Sequence, residues 1–343
     1  MFTQDTGQKV WGENMSWKCY STIFKAESSV HIGYRQIGIL KTTRYYITGR
    51  AMWGAITANL TRALFDNPGP EDYQYVGNFV RENIRTSYFY PAVKTSSENL
   101  SNYKANGYSV FLPEYTDEGL KFGNKSREWF EKTFVDSFVS TALSAESRTA
   151  EEGSLHEVEY IRDRVEINGG ATDVYWAGYL LVDCGVEEGK EIKLKLLCEG
   201  RDVKVGLTNG SLYKEVSLKN VLSLIFAGGE RNYGFGKLRL VDDFSEENNE
   251  LFKAFPVNCK ENVNGPVINT NSKKPAPAHV EFEGTLEEFV GEIEPLVGLE
   301  WSEKGAGHRI SKPVVCVTPG SKFVWEKLMV GEYGILKQTS NKA

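Results

Sequence analysis

Two stretches of this chain carry residue types suited to gripping an anion. The first is Gly228–Gly236, reading GGERNYGFG, which sets glycine amides beside Arg231, Asn232 and Tyr233. Glycine permits positive φ and lets another backbone approach closely, and successive N–H groups in such a turn form a concave anion-binding nest. No Lys-Ser/Thr follows at the spacing of a P-loop, so nucleoside triphosphate chemistry is not indicated. Taken by itself the cluster also reads as a helix cap followed by a hairpin-like loop. The second stretch is Ser28–Phe65, which holds Arg35, Lys41, Arg44, Arg50, Arg62 and His31 and no Asp or Glu. The average composition would place about five acids there.

The chain as a whole is acidic, with a formal net charge of −6. Local distribution is more telling than the sum. The acidic excess sits in Asp242–Glu250 and Glu281–Glu303, so one acid-free basic segment in an acidic protein looks built to meet a polyanion at one place. With 343 residues, 41% of them hydrophobic and 12% aromatic, the composition suits two domains or one elaborated domain with an appendage. Cys19, Cys184, Cys198, Cys259 and Cys316 are scattered and form no CxxC pair, an arrangement that argues for reduced thiols and a cytoplasmic setting. The first residues lack an apolar signal core and no stretch approaches a membrane span, so no membrane partner is expected.

The elements that must position these stretches are legible in the hydrophobic spacing. Residues 16–26 alternate as a strand, with Trp17, Cys19, Ser21 and Ile23 on one side. Residues 28–48 read as an extended loop or hairpin. A helix follows Thr48-Gly49, striped by Met52, Ile56, Leu60 and Leu64, and a second covers Glu71–Ile84. A third is expected over Ser126–Leu143, from Phe130, Phe134 and Phe138 spaced at four. Strands are expected at 157–167 and 173–182 around the turn Asn168-Gly169-Gly170, and again at 192–198 and 203–207. A helix over 217–227, capped by Ser217 and stopped by Gly228 and Gly229, leads through the glycine turn into a strand at 237–241.

Taken in order, the strand 16–26, helix 50–65, strands 157–182, helix 217–227 and strand 237–241 give the βαββαβ succession of an α+β, ferredoxin-like or RRM-like core. Residues 66–155 would then be a large helical insertion, making 1–259 one domain. Residues 260–279, rich in Asn, Pro and Lys, read as a linker, and 280–343 as a C-terminal extension with a short helix near Leu286–Ile293 and a strand at Val314–Thr318.

Four segments, in this order, resemble the RAMP superfamily, the RRM-like subunits of CRISPR RNA-guided effector complexes. Tyr46–Ala55 resembles that family's "YIPGSSLRGAL", with Thr48 in place of Pro and Arg50 in place of the first Ser. Ile84–Pro91 is similar to a "V-R-F-S-x-x-Y-P" stretch of some type III subunits. Tyr160–Gly178 resembles the "R-I-x-R-x-T-G-x-A" strand-turn-strand, and Gly228–Gly236 with Lys237-Leu238 the signature loop "GG-x-R-s-x-G-f-G-r". The resemblance spans roughly 16–242.

It implies a non-catalytic subunit of a type III effector ribonucleoprotein in antiviral defence, partnered by the CRISPR guide RNA and by other subunits. Single-stranded RNA is gripped through phosphates on Lys, Arg and backbone amides, with aromatic rings under splayed bases. The resemblance assigns Arg35, Lys41, Arg44 and Arg50 to phosphates and Tyr45 or Tyr46 to stacking. Gly228, Gly229, Arg231, Asn232, Tyr233, Gly234, Gly236 and Lys237 would meet RNA from the second loop. Some members are metal-independent endoribonucleases that use a histidine near the N-terminus, and His31 would fill that role. Such nucleases are usually shorter and end soon after the loop, whereas about a hundred residues follow it here. Members that cut target RNA use an aspartate before the first helix, and none exists in this stretch. A scaffold without RNA contact is the third possibility. No cofactor or metal is expected: His31, His156, His279 and His308 are far apart, no HxH, HExxH or CxxC spacing occurs, and the acids at 242–247 read as a solvated face.

Overall fold

The structure is a computed structural model describing residues 16–96, 98–241, 244–246, 250–260, 264–269, 274–282, 284, 288–302 and 305–339. The fold is mixed α+β. Its centre is a nine-stranded sheet in which Leu224–Phe226, Lys237–Leu240, β1 (Ser16–Ala26), Tyr175–Cys184 and β5 (Tyr90–Lys94) lie side by side, with β4 (Ile84–Thr86) also on Tyr175–Cys184. The pairs β1 with Tyr175–Cys184, β1 with Lys237–Leu240, and Tyr175–Cys184 with β4 and β5 are all antiparallel.

Strand periodicity of two decides what each face of this sheet meets. Tyr20, Phe24, Trp176, Leu180 and Val182 enter one core, where α1 (Gly49–Leu64) and α2 (Pro70–Asn83) contribute Met52, Ile56, Leu60, Val76 and Val80. Trp17, Cys19, Ile23, Tyr175, Tyr179 and Leu181 enter a second core on the opposite face. There they meet Val280, Val317, Phe323, Trp325, Leu328 and Leu336 of an eight-stranded sheet built from residues 250–338. Tyr175–Cys184 is therefore buried along its whole length, as a central strand with both faces covered must be. Full burial of each large apolar side chain is worth about 1.5–3 kcal/mol.

The helices start where the sequence indicates. Thr48 caps α1 by accepting from the Ala51 N–H at 3.3 Å. At α2, Pro70 occupies the first turn and Asp72 Oδ2 accepts from the Gly69 N–H at 2.8 Å.

Several expectations are corrected. The helix expected over 126–143 stops at Phe134, as α3 (Arg127–Phe134), and the chain continues as the strand Val135–Ser140, paired with His156–Ile161. Phe130 and Phe134 are buried while Phe138 is 45% exposed. The helix expected over 217–227 is only α4 (Leu218–Leu222); Leu224–Phe226 pairs antiparallel with Lys237–Leu240, so the glycines end a strand and form the turn of a hairpin. Ser217 does not cap α4 through its side chain, because its hydroxyl donates to Asp202 at 2.9 Å. The strand expected at 157–167 is broken after Ile161: His156–Ile161 joins a separate four-stranded sheet, and only Arg164–Ile167 forms the hairpin with Gly170–Asp173. The core strand next to Tyr175–Cys184 comes from residues 84–94, inside the stretch expected as an insertion.

The C-terminal segments also differ from expectation. Val267–Asn269 is a strand of the second sheet, and Ala276, Ala278 and His279 are buried, so these parts of the expected linker belong to the folded body. Ile293 belongs to the strand Ile293–Leu296, not to a helix. Leu286 of that expected helix, and Asp242, Asp243 and Glu247 of the acidic cluster, lie outside the described residues. Cys184 and Cys198 are joined in a disulfide with Cα atoms 5.6 Å apart, against the expectation of reduced thiols. The chain turns after Cys184 so that the Gly185 N–H reaches the Leu196 carbonyl at 3.0 Å, bringing two sequence-distant cysteines side by side. Cys19, Cys259 and Cys316 are not in disulfides. No helix among the described residues is long and apolar enough to cross a membrane.

Candidate nucleic-acid interface

The basic segment folds as a hairpin, β2 (Gly33–Ile37) and β3 (Leu40–Thr43), that forms half of the four-stranded sheet with Val135–Ser140 and His156–Ile161. The glycine loop docks against the root of this hairpin. The Gly229 N–H donates to the His31 carbonyl at 2.9 Å, the Gly236 N–H to the Ser29 carbonyl at 2.8 Å, and the Lys237 N–H to the Ser28 hydroxyl at 3.0 Å. Two glycines are required here. Gly228 (φ +92°) has the His31 carbonyl oxygen 2.3 Å from where a Cβ would stand, and Gly236 (φ +83°) has the Ala227 carbonyl oxygen at 2.2 Å. Lys41 of β3 then meets Glu230 of the loop at 2.8 Å. The two stretches singled out by composition therefore converge.

The crest of the loop, Arg231, Asn232, Tyr233 and Gly234, is exposed. Arg231–Tyr233 makes one turn of 3-10 helix, and Arg231 Nε donates to the Gly228 carbonyl at 3.0 Å, which fixes the guanidinium. Tyr233 leans on Phe138 and His156, with ring centroids 6.4 and 6.3 Å away, and remains 56% exposed. Burial by the flanking side chains, and then the like charge of Arg62 on α1, push the Arg231 guanidinium below its ordinary range. Neither arginine has an acidic partner among the described residues. Arg62 belongs to the acid-free segment, yet sequence reasoning gives it no role; it is the exposed basic residue in the last turn of α1.

The other face of the four-stranded sheet has a different character. Strand alternation sends Leu40, Ser137, Glu157 and Glu159 toward a cleft of about 650 Å³, and Lys41, Phe138 and Tyr160 toward the glycine loop. Six carboxylates (Glu131, Asp136, Glu157, Glu159, Glu292 and Glu294) and three arginines (Arg35, Arg44 and Arg127) line that cleft. Arg44, expected to bind phosphate, is instead committed to Glu294 at 2.6 Å and to the Tyr46 hydroxyl at 3.0 Å.

Tyr46 and Tyr45 are also spent on internal contacts. Tyr46 stacks on Tyr88 with centroids 5.5 Å apart, and Tyr45 packs on Phe122 and Phe130 while its hydroxyl donates to Glu131 at 2.7 Å. Burial raises both phenols, so both keep their protons. Arg50 lies over the Tyr333 ring at 4.0 Å with Glu300 at 3.9 Å. Arg35 alone of the four cations expected on phosphate is exposed and has no ion pair among the described residues; its guanidinium sits 4.5 Å over Tyr34.

Glu294 anchors a buried network between the two sheets. His279 Nε2 lies 2.6 Å from Glu294, and the Tyr88 hydroxyl lies 2.7 Å from His279 Nδ1. Burial keeps His279 below its ordinary value. A neutral ring donating from Nε2 and accepting at Nδ1 satisfies every partner. Burial alone would raise the Glu294 carboxyl, but the His279 hydrogen bond and the Arg44 charge hold it down at about 2.

His31, the candidate general acid or base, is 4% exposed. Its Nδ1 is 2.7 Å from the Glu159 carbonyl, and its ring lies beneath Gly229. It joins the loop to the small sheet and is sealed from solvent.

Neither a protein-family model nor a curated protein matches this chain. Among solved structures, it is similar to a chain in the cryo-EM structure of the Type III-B Cmr-beta complex bound to cognate target RNA and AMPPnP. The identity is 9%, with 89% of this chain and 85% of that chain covered and a TM-score of 0.45. A second cryo-EM structure of Cmr-beta bound to cognate target RNA gives 10% identity, coverage of 88% and 86%, and a TM-score of 0.43. The apo state of the same complex gives 9% identity, coverage of 65% and 96%, and a TM-score of 0.34.

Proposed function

We propose that this chain is a non-catalytic RNA-binding subunit of a type III CRISPR ribonucleoprotein, holding the guide backbone on the crest of its glycine loop. The observation that carries the reading is the crest itself. Arg231, Asn232, Tyr233 and Gly234 stand exposed on a loop pinned to the basic hairpin, with Arg62 and Arg231 lacking acidic partners among the described residues. An exposed guanidinium without an acidic partner among the described residues and one exposed ring are parts needed for phosphate contact and base stacking. The Gly229, Tyr233, Gly234 and Gly236 N–H groups are already bonded within the fold. The sheet order 237–240, 16–26, 175–184, 84–94, with α1 and α4 feeding the same core, supports a ferredoxin-like reading of the centre. The backbone grip is assigned to Arg231, Asn232, Tyr233, Lys237, Arg62 and Arg35, and not to Arg44, Tyr45 or Tyr46.

The burial of His31 speaks against guide processing by this chain. The test is co-purification followed by sequencing of the bound RNA, with the Arg62→Glu/Arg231→Glu double variant as comparison. Recovery of guide RNA with the parent and its loss from the folded variant are expected. Unchanged RNA binding by the variant would favour a scaffold. Cleavage of repeat RNA in EDTA, abolished by His31→Ala, would replace the proposal with an endoribonuclease.

A further inference from the structure

Beside the glycine loop, α1, α2 and the hairpin of Leu299–Ser302 with Gly305–Ile310 enclose a hollow of about 320 Å³. This lies at the small end of ligand-site volumes, roughly 300–1,000 Å³. Trp53, Tyr73, Gly54, Thr57, Arg231 and Glu300 are among its lining residues. Trp53 is held rigidly, since its Nε1 donates to the Gly77 carbonyl at 2.7 Å and its ring meets Tyr333 edge-on at 5.3 Å. Gly54 leaves open space, for a Cβ built there meets nothing within 4 Å. Thr57 also lines the hollow, with its side chain packed toward Gly77 of α2. Glu300 of the lining is steadied by Arg50 and Arg309, each 3.9 Å away. Arg231 also lines the hollow, and the charge of Arg62 acts on it.

We propose that this hollow is a nucleotide pocket, taking one base against Trp53 and Tyr73 and seating its phosphate on Arg231. A largely apolar slot with Trp53 and Tyr73 in its lining suits a heterocycle. The carboxylate of Glu300 repels phosphate and accepts from an amino edge, so it fixes which end of the nucleotide enters. Adenine, guanine and cytosine present exocyclic amines, whereas uracil flanks its single N–H with two carbonyls that a carboxylate repels. The chemistry is shared by a free nucleoside monophosphate and by one splayed nucleotide of a single strand. The second source rests on the RNA-binding reading above.

The full chain would be titrated calorimetrically with AMP, GMP, CMP and UMP, and by fluorescence anisotropy with a short single-stranded RNA. The amino-bearing monophosphates are expected to bind roughly tenfold or more tightly than UMP. Gly54→Phe, which fills the slot without touching the arginines, should abolish monophosphate binding while its melting curve is unchanged. Glu300→Gln should erase the discrimination against UMP, and does so independently of how Gly54→Phe folds. Weakened RNA binding by Gly54→Phe identifies a splayed nucleotide as the occupant, and monophosphate binding without RNA binding identifies a free one. RNA bound equally by parent and Gly54→Phe, with no monophosphate bound, overturns the pocket and leaves the RNA-binding reading standing. Binding of neither overturns both.

Discussion

Arg44 and Arg231 carry the same charge on opposite sides of one small sheet, yet their electrostatic surroundings differ sharply. Arg44 faces a cleft with twice as many carboxylates as arginines, and it is locked to Glu294, which has 5% of its side chain exposed. Arg231 stands on an exposed turn beside another arginine, with no acid opposite either among the described residues. Both occur in aromatic, basic stretches, and on composition alone Arg44 is the better RNA ligand. A buried ion pair joins structure to structure and has little charge left for a ligand. An exposed guanidinium with no acid opposite it keeps its charge available for a ligand.

The comparison breaks if Arg44 proves dispensable for stability. Arg44→Ala leaves Glu294 buried without its cation and should destabilise the fold by about 3–5 kcal/mol, measured by urea titration. RNA affinity of the folded fraction should be unaffected. Next in size, Arg62→Glu/Arg231→Glu should weaken RNA binding about 10- to 100-fold with no loss of stability. The slope of log K against log salt should fall by about 0.7 for each phosphate that is no longer neutralised, read by anisotropy across a salt series. Tyr233→Ala should cost about 1–3 kcal/mol of binding, whereas Tyr46→Phe should leave affinity unchanged.

The smallest expected effect is on pH dependence. His279 is held below its usual value, so below about pH 6.5 the unfolded chain takes up a proton that the folded one refuses, and stability falls with acidification. Glu294, held at about 2, adds a further loss from the ordinary carboxylate range downward. Melting temperatures of His279→Gln against the parent between pH 7 and 4.5 should show a flatter profile for the variant. Parallel profiles would remove His279 from the account.

What is legible in the sequence is local. The helix following Thr48-Gly49, the alternation of 16–26, the helix beginning near Glu71 and the positive-φ glycines of the loop are each decided by a few neighbouring residues. What is not legible is decided by partners far along the chain. Val135–Ser140 has the phenylalanine spacing of a helix, but it pairs with His156–Ile161 and becomes a strand. Leu224–Phe226 continues an apolar helical pattern, yet Lys237–Leu240 claims it as a hairpin partner. Acidity misleads for the same reason. No carboxylate occurs between residues 28 and 65, but Glu230, Glu294 and Glu300 arrive from the far end of the chain to neutralise or brace Lys41, Arg44 and Arg50. The burial of Tyr45 and Tyr46 likewise depends on Phe122, Phe130 and Tyr88, none adjacent in sequence.

The second core bears on how the molecule can be handled. Ile23, Tyr88, Tyr90 and Leu181 from the central sheet share an interior with Val317, Phe323, Trp325 and Leu328 from the last third of the chain. Stopping translation near residue 259 would strip the back of that sheet and leave a broad greasy wall facing water, prone to clumping. Expression trials, deletion series and split reporters should therefore treat the polypeptide as indivisible, with added segments attached at its ends and not inside 260–279.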